Sequence, residues 1–198
     1  SLRQALADKE LVVYTGTLGF KHNPQTLVRL AEELSDRSTA RILVVSEGPG
    51  AEYLKAEART RSLKNLLVLP FQPIAEYSDV LGAADILVSI IEPDAARFSV
   101  PSKVLSYLCS GRPIVLSVPT TNLAAKIVTE CGAGVAIDPD DAAGFTRAVK
   151  ELLNQPDRRA AAGKAARHYA EENFDIARIG DRFEAVFNRI SRRTAMAV

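Results

Sequence analysis

The sequence predicts a doubly wound α/β fold built on a six-stranded parallel sheet, and three observations carry that expectation. Short apolar runs without polar alternation recur along the chain, the mark of strands buried on both faces. The early runs each end in a glycine or proline loop and lead into apolar residues at helical spacing. Beyond residue 155 only helical patterns remain.

Taken in order, Leu11-Val-Val-Tyr14 reads as the first strand, and Gly16-Thr17-Leu18-Gly19 follows as its loop. Leu27, Leu30, Ala31 and Leu34 then mark one face of a helix. The unit repeats. Ile42 to Val45 ends at Gly48-Pro49-Gly50 before a helix bearing Tyr53, Leu54 and Ala58, and Leu66 to Leu69 ends at Pro70-Phe71 before a short helix over Ala75–Leu81. Ile86 to Ile91 is the fourth strand, and an irregular stretch, Glu92 to Val100, separates it from a helix opened by Pro101 and stopped by Gly111. Pro113 to Leu116 is the fifth strand, residues 120–131 are helical, and Gly134 to Ile137 is a weak sixth strand. Phe145, Ala148, Val149, Leu152 and Leu153 mark the helix that closes this region. Pro156 then starts an Ala/Arg-rich helix. After a break at Phe174-Asp175, Ile176, Ile179, Phe183, Val186 and Ile190 give a last helix one apolar face, which predicts packing on a neighbouring surface.

Right-handed crossovers between such strands point every strand C-terminus to one edge of the sheet, where ligands of open α/β sheets sit. Loops 16–23, 48–50, 70–73 and 92–103 are therefore the ones to read for chemistry.

With 198 residues, 47% of them hydrophobic, the chain has enough apolar material for one substantial core without disulfides or a structural metal. Lys and Arg number 25 against 24 Asp and Glu, and the pI near 7.7 argues against a nucleic-acid partner, which needs a basic face. Residues 156–198 are the more basic part, with 9 Lys/Arg and 6 Asp/Glu, a charge suited to peripheral contact with an anionic membrane. Cys109 and Cys131 form no C-x-x-C pair, and a reduced, cytoplasmic setting follows. No apolar run approaches membrane-spanning length. The opening at Ser1, with neither an initiator methionine nor a signal sequence, suggests a piece of a longer protein in which residues 1–10 are a linker from a preceding domain.

Two constellations carry chemistry. Backbone N–H groups of the Gly16–Gly19 loop can surround an anion, and Lys21 and His22 add charge or donors beside it; the pattern is neither G-x-G-x-x-G nor a P-loop. At the start of the helix after Pro101, free N–H groups, the Ser102 hydroxyl and the Lys103 ammonium converge in the way a pyrophosphate requires. No His, Cys, Asp or Glu cluster has metal-ligand spacing, and no residue is assigned as catalytic. His168 lies on a basic helix and reads as a surface residue.

The ordered set Gly16-Thr-Leu-Gly19, Gly48-Pro-Gly50, Ala84-Asp85-Ile86, Pro101-Ser-Lys103 with Tyr107, and Gly111-Arg-Pro-Ile-Val115 resembles the C-terminal, donor-binding domain of GT-B glycosyltransferases of the group 1, or family 4, type. The likeness runs from about residue 10 to 190. It implies one half of a GT-B fold: a Rossmann-like domain over 11–155, and helices over 156–198 that pack on it and towards a missing N-terminal acceptor domain. It also implies a nucleotide-diphosphate-sugar donor, UDP-linked, and retaining transfer to an acceptor hydroxyl without an obligatory metal or other cofactor, in bacterial surface polysaccharide or glycolipid synthesis. The isolated half would bind donor and not transfer it. Carried onto this sequence, the implied donor-binding residues are Gly16, Thr17, Gly19, Lys21, Ser102, Lys103 and Ser106, with Phe71 beside the base. Where the family commonly has two Glu, this chain has Phe98 and Ser106, so a neutral hydroxyl stands at the ribose position. Two other readings stay open: a degenerate nucleotide-binding or regulatory module, and a sugar-nucleotide epimerase of the same fold.

Overall fold

The structure, a computed structural model, describes residue 6 and residues 8–91 and 100–195, the stretch 190–195 by backbone alone. The expected irregular stretch after the fourth strand, with Phe98, lies outside the described residues except for Val100, as does most of 1–7.

All six expected strands form: β1 (Glu10–Thr15), β2 (Ala40–Val45), β3 (Leu66–Leu69), β4 (Ile86–Ile90), β5 (Ile114–Ser117) and β6 (Gly134–Ile137). Every neighbouring pair is parallel, in the order β3-β2-β1-β4-β5-β6. Order reverses between β1 and β4, so this doubly wound, Rossmann-like sheet has its switch point there. β1 is longer than its apolar run because Glu10 and Thr15 pair with Ala40 and Val45 through the backbone, which is indifferent to side-chain polarity.

The described helices are α1 (Gln25–Glu33), α2 (Pro49–Thr60), α3 (Tyr77–Ala83), α4 (Lys103–Ser110), α5 (Leu123–Glu130), α6 (Ala142–Asn154), α7 (Pro156–Asn173) and α8 (Ile176–Ala195). The period of two in the strands sorts their apolar side chains into two cores. Leu11 and Val13 face one core with Leu81, Val104, Leu108 and Val128, and Val12 and Tyr14 face the other with Leu27, Leu30, Leu54 and Phe145. That division explains the apolarity of the four central strands, which are buried almost throughout, while the edge strands β3 and β6 are only partly covered.

Three expected boundaries shift, the first at α5, which starts at Leu123 under an Asn122 cap and not at residue 120. A 3-10 turn over Ile74–Glu76 precedes α3, so the α-helix itself runs two residues later than the apolar pattern suggests. α4 begins at Lys103, not at Pro101; the Pro101 carbonyl accepts from the Val104 N–H, so proline precedes the helix and closes its first turn. Gly111, at φ 66, stops α4 in the left-handed conformation that glycine tolerates.

α7 lies close against α4 because its contacting residues are small. A Cβ at Gly163 would stand 2.4 Å from the Gly111 carbonyl oxygen, and Arg167 Nη1 donates to the Cys109 carbonyl at 3.0 Å. α8 is different: Ile176, Phe183, Val186 and Phe187 are exposed, so the packing surface expected for this helix is not supplied by the described residues. No described helix is long and apolar enough to cross a membrane.

Candidate functional site

A cleft of about 670 Å³ opens at the C-terminal edge of the sheet, at the β1/β4 switch point. Gly16, Thr17, Lys21, Ser102, Lys103 and Ser106 all line it, so two segments some eighty residues apart in sequence meet there. Of the other residues singled out from sequence, Gly19 does not line the cleft and bonds to His22 through its N–H and its carbonyl, and Phe71 stands apart. Phe71 is 46% exposed just beyond β3 and does not line the cleft; its N–H donates to Glu47 Oε1 at 3.2 Å.

Tyr14 organises the first segment. It is the last apolar residue of β1; its hydroxyl donates to the Thr17 carbonyl at 3.0 Å and ties the glycine loop to the strand that launches it. The Lys103 ammonium lies 3.9 Å from the centroid of the Tyr14 ring, a cation–π placement. Gly16 makes room for that arrangement. Its φ of 103° is outside the range of most L-residues, and a Cβ there would come within 3.1 Å of Lys103 Nζ. The second glycine loop supports the first: the Gly50 N–H donates to the Leu18 carbonyl at 2.9 Å, an approach that a Cβ on Gly50 would block at 2.4 Å.

Lys103 has no acidic partner among the described residues, and burial pulls its pKa down from 10.5 to about 8. A buried ammonium without a counter-ion lacks the opposite charge that would offset its desolvation. Beside it the His22 Nδ1 accepts the Gly19 N–H at 3.0 Å. Burial first, and then the charges of Lys103 and Lys21, hold the imidazole pKa below its ordinary value. Among the described residues that line the cleft none is acidic.

Tyr107 sets α4 against the sheet. Its hydroxyl accepts from the Thr15 N–H at 3.0 Å, lies 3.2 Å from Thr15 Oγ1 and donates to the Val88 carbonyl at 3.3 Å; Tyr77 adds a hydroxyl 3.4 Å from Thr15 Oγ1. Burial raises the pKa of Tyr14 and Tyr107, so both phenols work as neutral hydroxyls. At the opposite end of the β1/β4 contact, Asp85 exchanges two bonds with Leu11: its carboxylate accepts the Leu11 N–H at 2.8 Å, and its own N–H donates to the Leu11 carbonyl at 2.8 Å. Asp85, part of the recurring motif set, is therefore a structural residue.

Sequence reasoning passed over Tyr14 and Tyr77, and saw Tyr107 only as a motif position. Nothing in spacing separates a core tyrosine from one whose hydroxyl ties a loop. A usable signal existed for Tyr14, since it is the polar-tipped member of an otherwise aliphatic run directly before a glycine loop. Among the described residues no three His, Cys, Asp or Glu side chains come together in a group able to hold a metal.

The family model for glycosyl transferases group 1 matches residues 3–169. A protein of Escherichia coli K12 named as a colanic acid biosynthesis glycosyl transferase, WcaI, is 24% identical over 169 residues, which are 85% of this chain and 40% of that one. The GDP-mannose-dependent α-(1-6)-phosphatidylinositol monomannoside mannosyltransferase of Mycolicibacterium smegmatis is 29% identical over 178 residues, 87% of this chain and 46% of the relative. The chain thus spans less than half the length of these two relatives. The crystal structure of Anabaena HepE in complex with UDP superposes with a TM-score of 0.80 at 16% identity, over 95% of this chain and 51% of HepE, a likeness of fold.

Proposed function

The chain belongs to the group 1 glycosyl transferases, and from that premise we propose that its switch-point cleft holds the diphosphate of a nucleotide-sugar donor. One observation carries the reading: Lys103, half-buried and without an acidic partner among the described residues, sits over the Gly16 loop in a cleft that Lys21 and His22 share. As the bond from sugar to phosphate lengthens, negative charge grows on the leaving diphosphate. An ammonium already in position stabilises that charge without reorganising, while the Gly16 and Gly19 N–H groups of the loop are already donated to the Val45 carbonyl and to His22 Nδ1.

The donor of this reading is a UDP-sugar, supported by the UDP complex of the Anabaena structure; the GDP-mannose named for the mycobacterial relative makes GDP the comparison to run. The transfer retains anomeric configuration, needs no obligatory metal or other cofactor, and delivers a hexose to a polysaccharide or glycolipid acceptor. The lipid in the mycobacterial relative's name supports work at a membrane surface, and this reading takes the cytoplasmic face. Acceptor binding belongs to a second domain, for which the open apolar face of α8 is the docking surface on this side, so residues 1–198 alone bind donor without transferring it.

A second reading, a nucleotide-binding module without transfer, is favoured by Ser106 and by the lack of any carboxylate among the described residues lining the cleft. Calorimetric titration with UDP, GDP and their sugars tests the first claim. Binding that weakens by about 1–3 kcal/mol in Lys103→Ala is expected for a charge-assisted contact; no binding of any of these ligands at millimolar concentration overturns it. Transfer by the longer protein to lipid-linked acceptors separates enzyme from module.

A further inference from the structure

The cleft contains one histidine, and its surroundings decide what it can do. His22 ends a single 3-10 turn, Phe20–His22, that is fixed on both sides. Its own N–H donates to the Gly19 carbonyl at 2.9 Å, and Asn23, in the left-handed region at φ 46, closes the turn by donating to the Phe20 carbonyl at 2.9 Å. Across this turn the Gly19 N–H donates to Nδ1 at 3.0 Å. A ring nitrogen that accepts a hydrogen bond carries no proton, so the neutral imidazole has its proton on Nε2.

Nε2 has no hydrogen-bond partner among the described residues, and His22 lines the same cleft as Lys21 and Lys103. Protonating the second nitrogen would break the Gly19 bond and set a third positive charge beside two lysines. The imidazole is therefore held neutral, with a donor and no free lone pair left for the cleft. A general base needs that lone pair.

We infer that His22 is a binding residue of fixed tautomer that offers Nε2–H to a phosphate oxygen of the bound diphosphate and takes no part as a base. This rests on the reading of the cleft as a diphosphate site. It adds to that reading a neutral donor, chosen by the backbone of the Gly16–Gly19 loop, alongside the two cations. The histidine thereby binds the anion without adding to the repulsion between Lys21 and Lys103 when the cleft is empty.

Three variants and one spectrum test it. In His22→Gln the amide nitrogen can occupy the place of Nε2; in His22→Asn the amide oxygen can accept from Gly19 while nothing reaches the Nε2 position; His22→Ala keeps neither. Titrated with UDP and with inorganic pyrophosphate, His22→Gln should bind within about twofold of the wild type, and His22→Asn and His22→Ala about tenfold more weakly, the size of one hydrogen bond to a charged group. Nitrogen-15 spectra of the unliganded protein near pH 7 should show Nδ1 without a proton and Nε2 with one. Wild-type affinity in His22→Asn, a loss in His22→Gln equal to that in His22→Ala, or a protonated Nδ1 overturns the inference. If Lys103→Ala weakens binding and the His22 variants do not, this inference fails and the diphosphate site stands. If the wild type binds neither UDP, GDP nor pyrophosphate, the diphosphate site and the ligand part of this inference fail together, and the spectrum still decides the tautomer.

Discussion

The hydroxyl of Tyr107 stands where Thr15 would otherwise meet its strand partner. β1 and β4 pair in register at Val12–Ile86 and Val13–Leu87. Continued by the rule of a parallel ladder, the next bond would take the Thr15 N–H to the Val88 carbonyl. Instead the N–H donates to the phenol at 3.0 Å, and the phenol donates to Val88 at 3.3 Å, so one side-chain oxygen from α4 is inserted into the sheet where the cleft begins.

Tyr107→Phe removes that oxygen and leaves a buried donor and a buried acceptor apart. The expected loss is about 2–4 kcal/mol of unfolding free energy, read from urea melts. UDP affinity should fall as well, because Lys103 starts the helix that Tyr107 anchors. A variant as stable as the wild type would mean that β1 and β4 zip together without the phenol.

Lys103 opposes folding while the cleft is empty. With its pKa near 8 in the folded protein against 10.5 ordinarily, the unfolded chain binds more protons between those values. Its contribution to stability therefore rises with pH from about 8 to about 10.5, and the full cost of the buried charge is present below 8. Lys103→Met should raise stability at pH 7 by about 1–2 kcal/mol, flatten that alkaline rise and weaken UDP binding by about 1–3 kcal/mol. Thermal melts across the range check all but the last; an unchanged slope in the variant would show that the ammonium is freely solvated.

Gly16→Ala meets two obstacles, a φ of 103° and the Lys103 ammonium 3.1 Å from the new methyl group. A loss of about 1–3 kcal/mol is expected, with weaker UDP binding as the lysine is displaced. Gly82→Ala is the control. Nothing lies within 4 Å of its Cβ position inside α3, so the change should be neutral or stabilising by up to about 1 kcal/mol.

The exposed face of α8 predicts a substitution without consequence for this chain. Phe183→Ser with Phe187→Ser should leave the melting curve of residues 1–198 within about 0.5 kcal/mol, because both rings are more than half exposed. A loss above 1 kcal/mol would show that the face is covered within the chain.

The six strands were legible because burial on both faces leaves an apolar run without the polar stripe of a surface helix, whereas their order across the sheet is set by contacts that the chain pattern does not carry. The first residue of α4 was not legible: a proline is equally at home at the first helical position and just before it, and only the bond from Val104 to the Pro101 carbonyl decides. Six of the eight residues singled out as donor-binding converge on one cleft, since residues after parallel strands must gather at one edge. Phe71 escaped that rule. β3 is the outermost strand on its side, and being at the right edge does not bring a residue to the switch point. Tyr107 and Tyr77 escaped for another reason, as their hydroxyls meet Thr15 across 92 and 62 residues of chain, which local pattern does not encode.

The short contact between β1 and β4 has a mechanical side. β1 and β2 are registered from Glu10 to Thr15, whereas β1 and β4 are registered only at two adjacent positions, with Asp85 pinning one end and Tyr107 bridging the other. The sheet is in effect a plate scored across its middle, with β1 to β3 on one side of the line and β4 to β6 on the other. The cleft straddles the open end of that score, so a bound molecule touching both Gly16 and Lys103 is a clamp across that line.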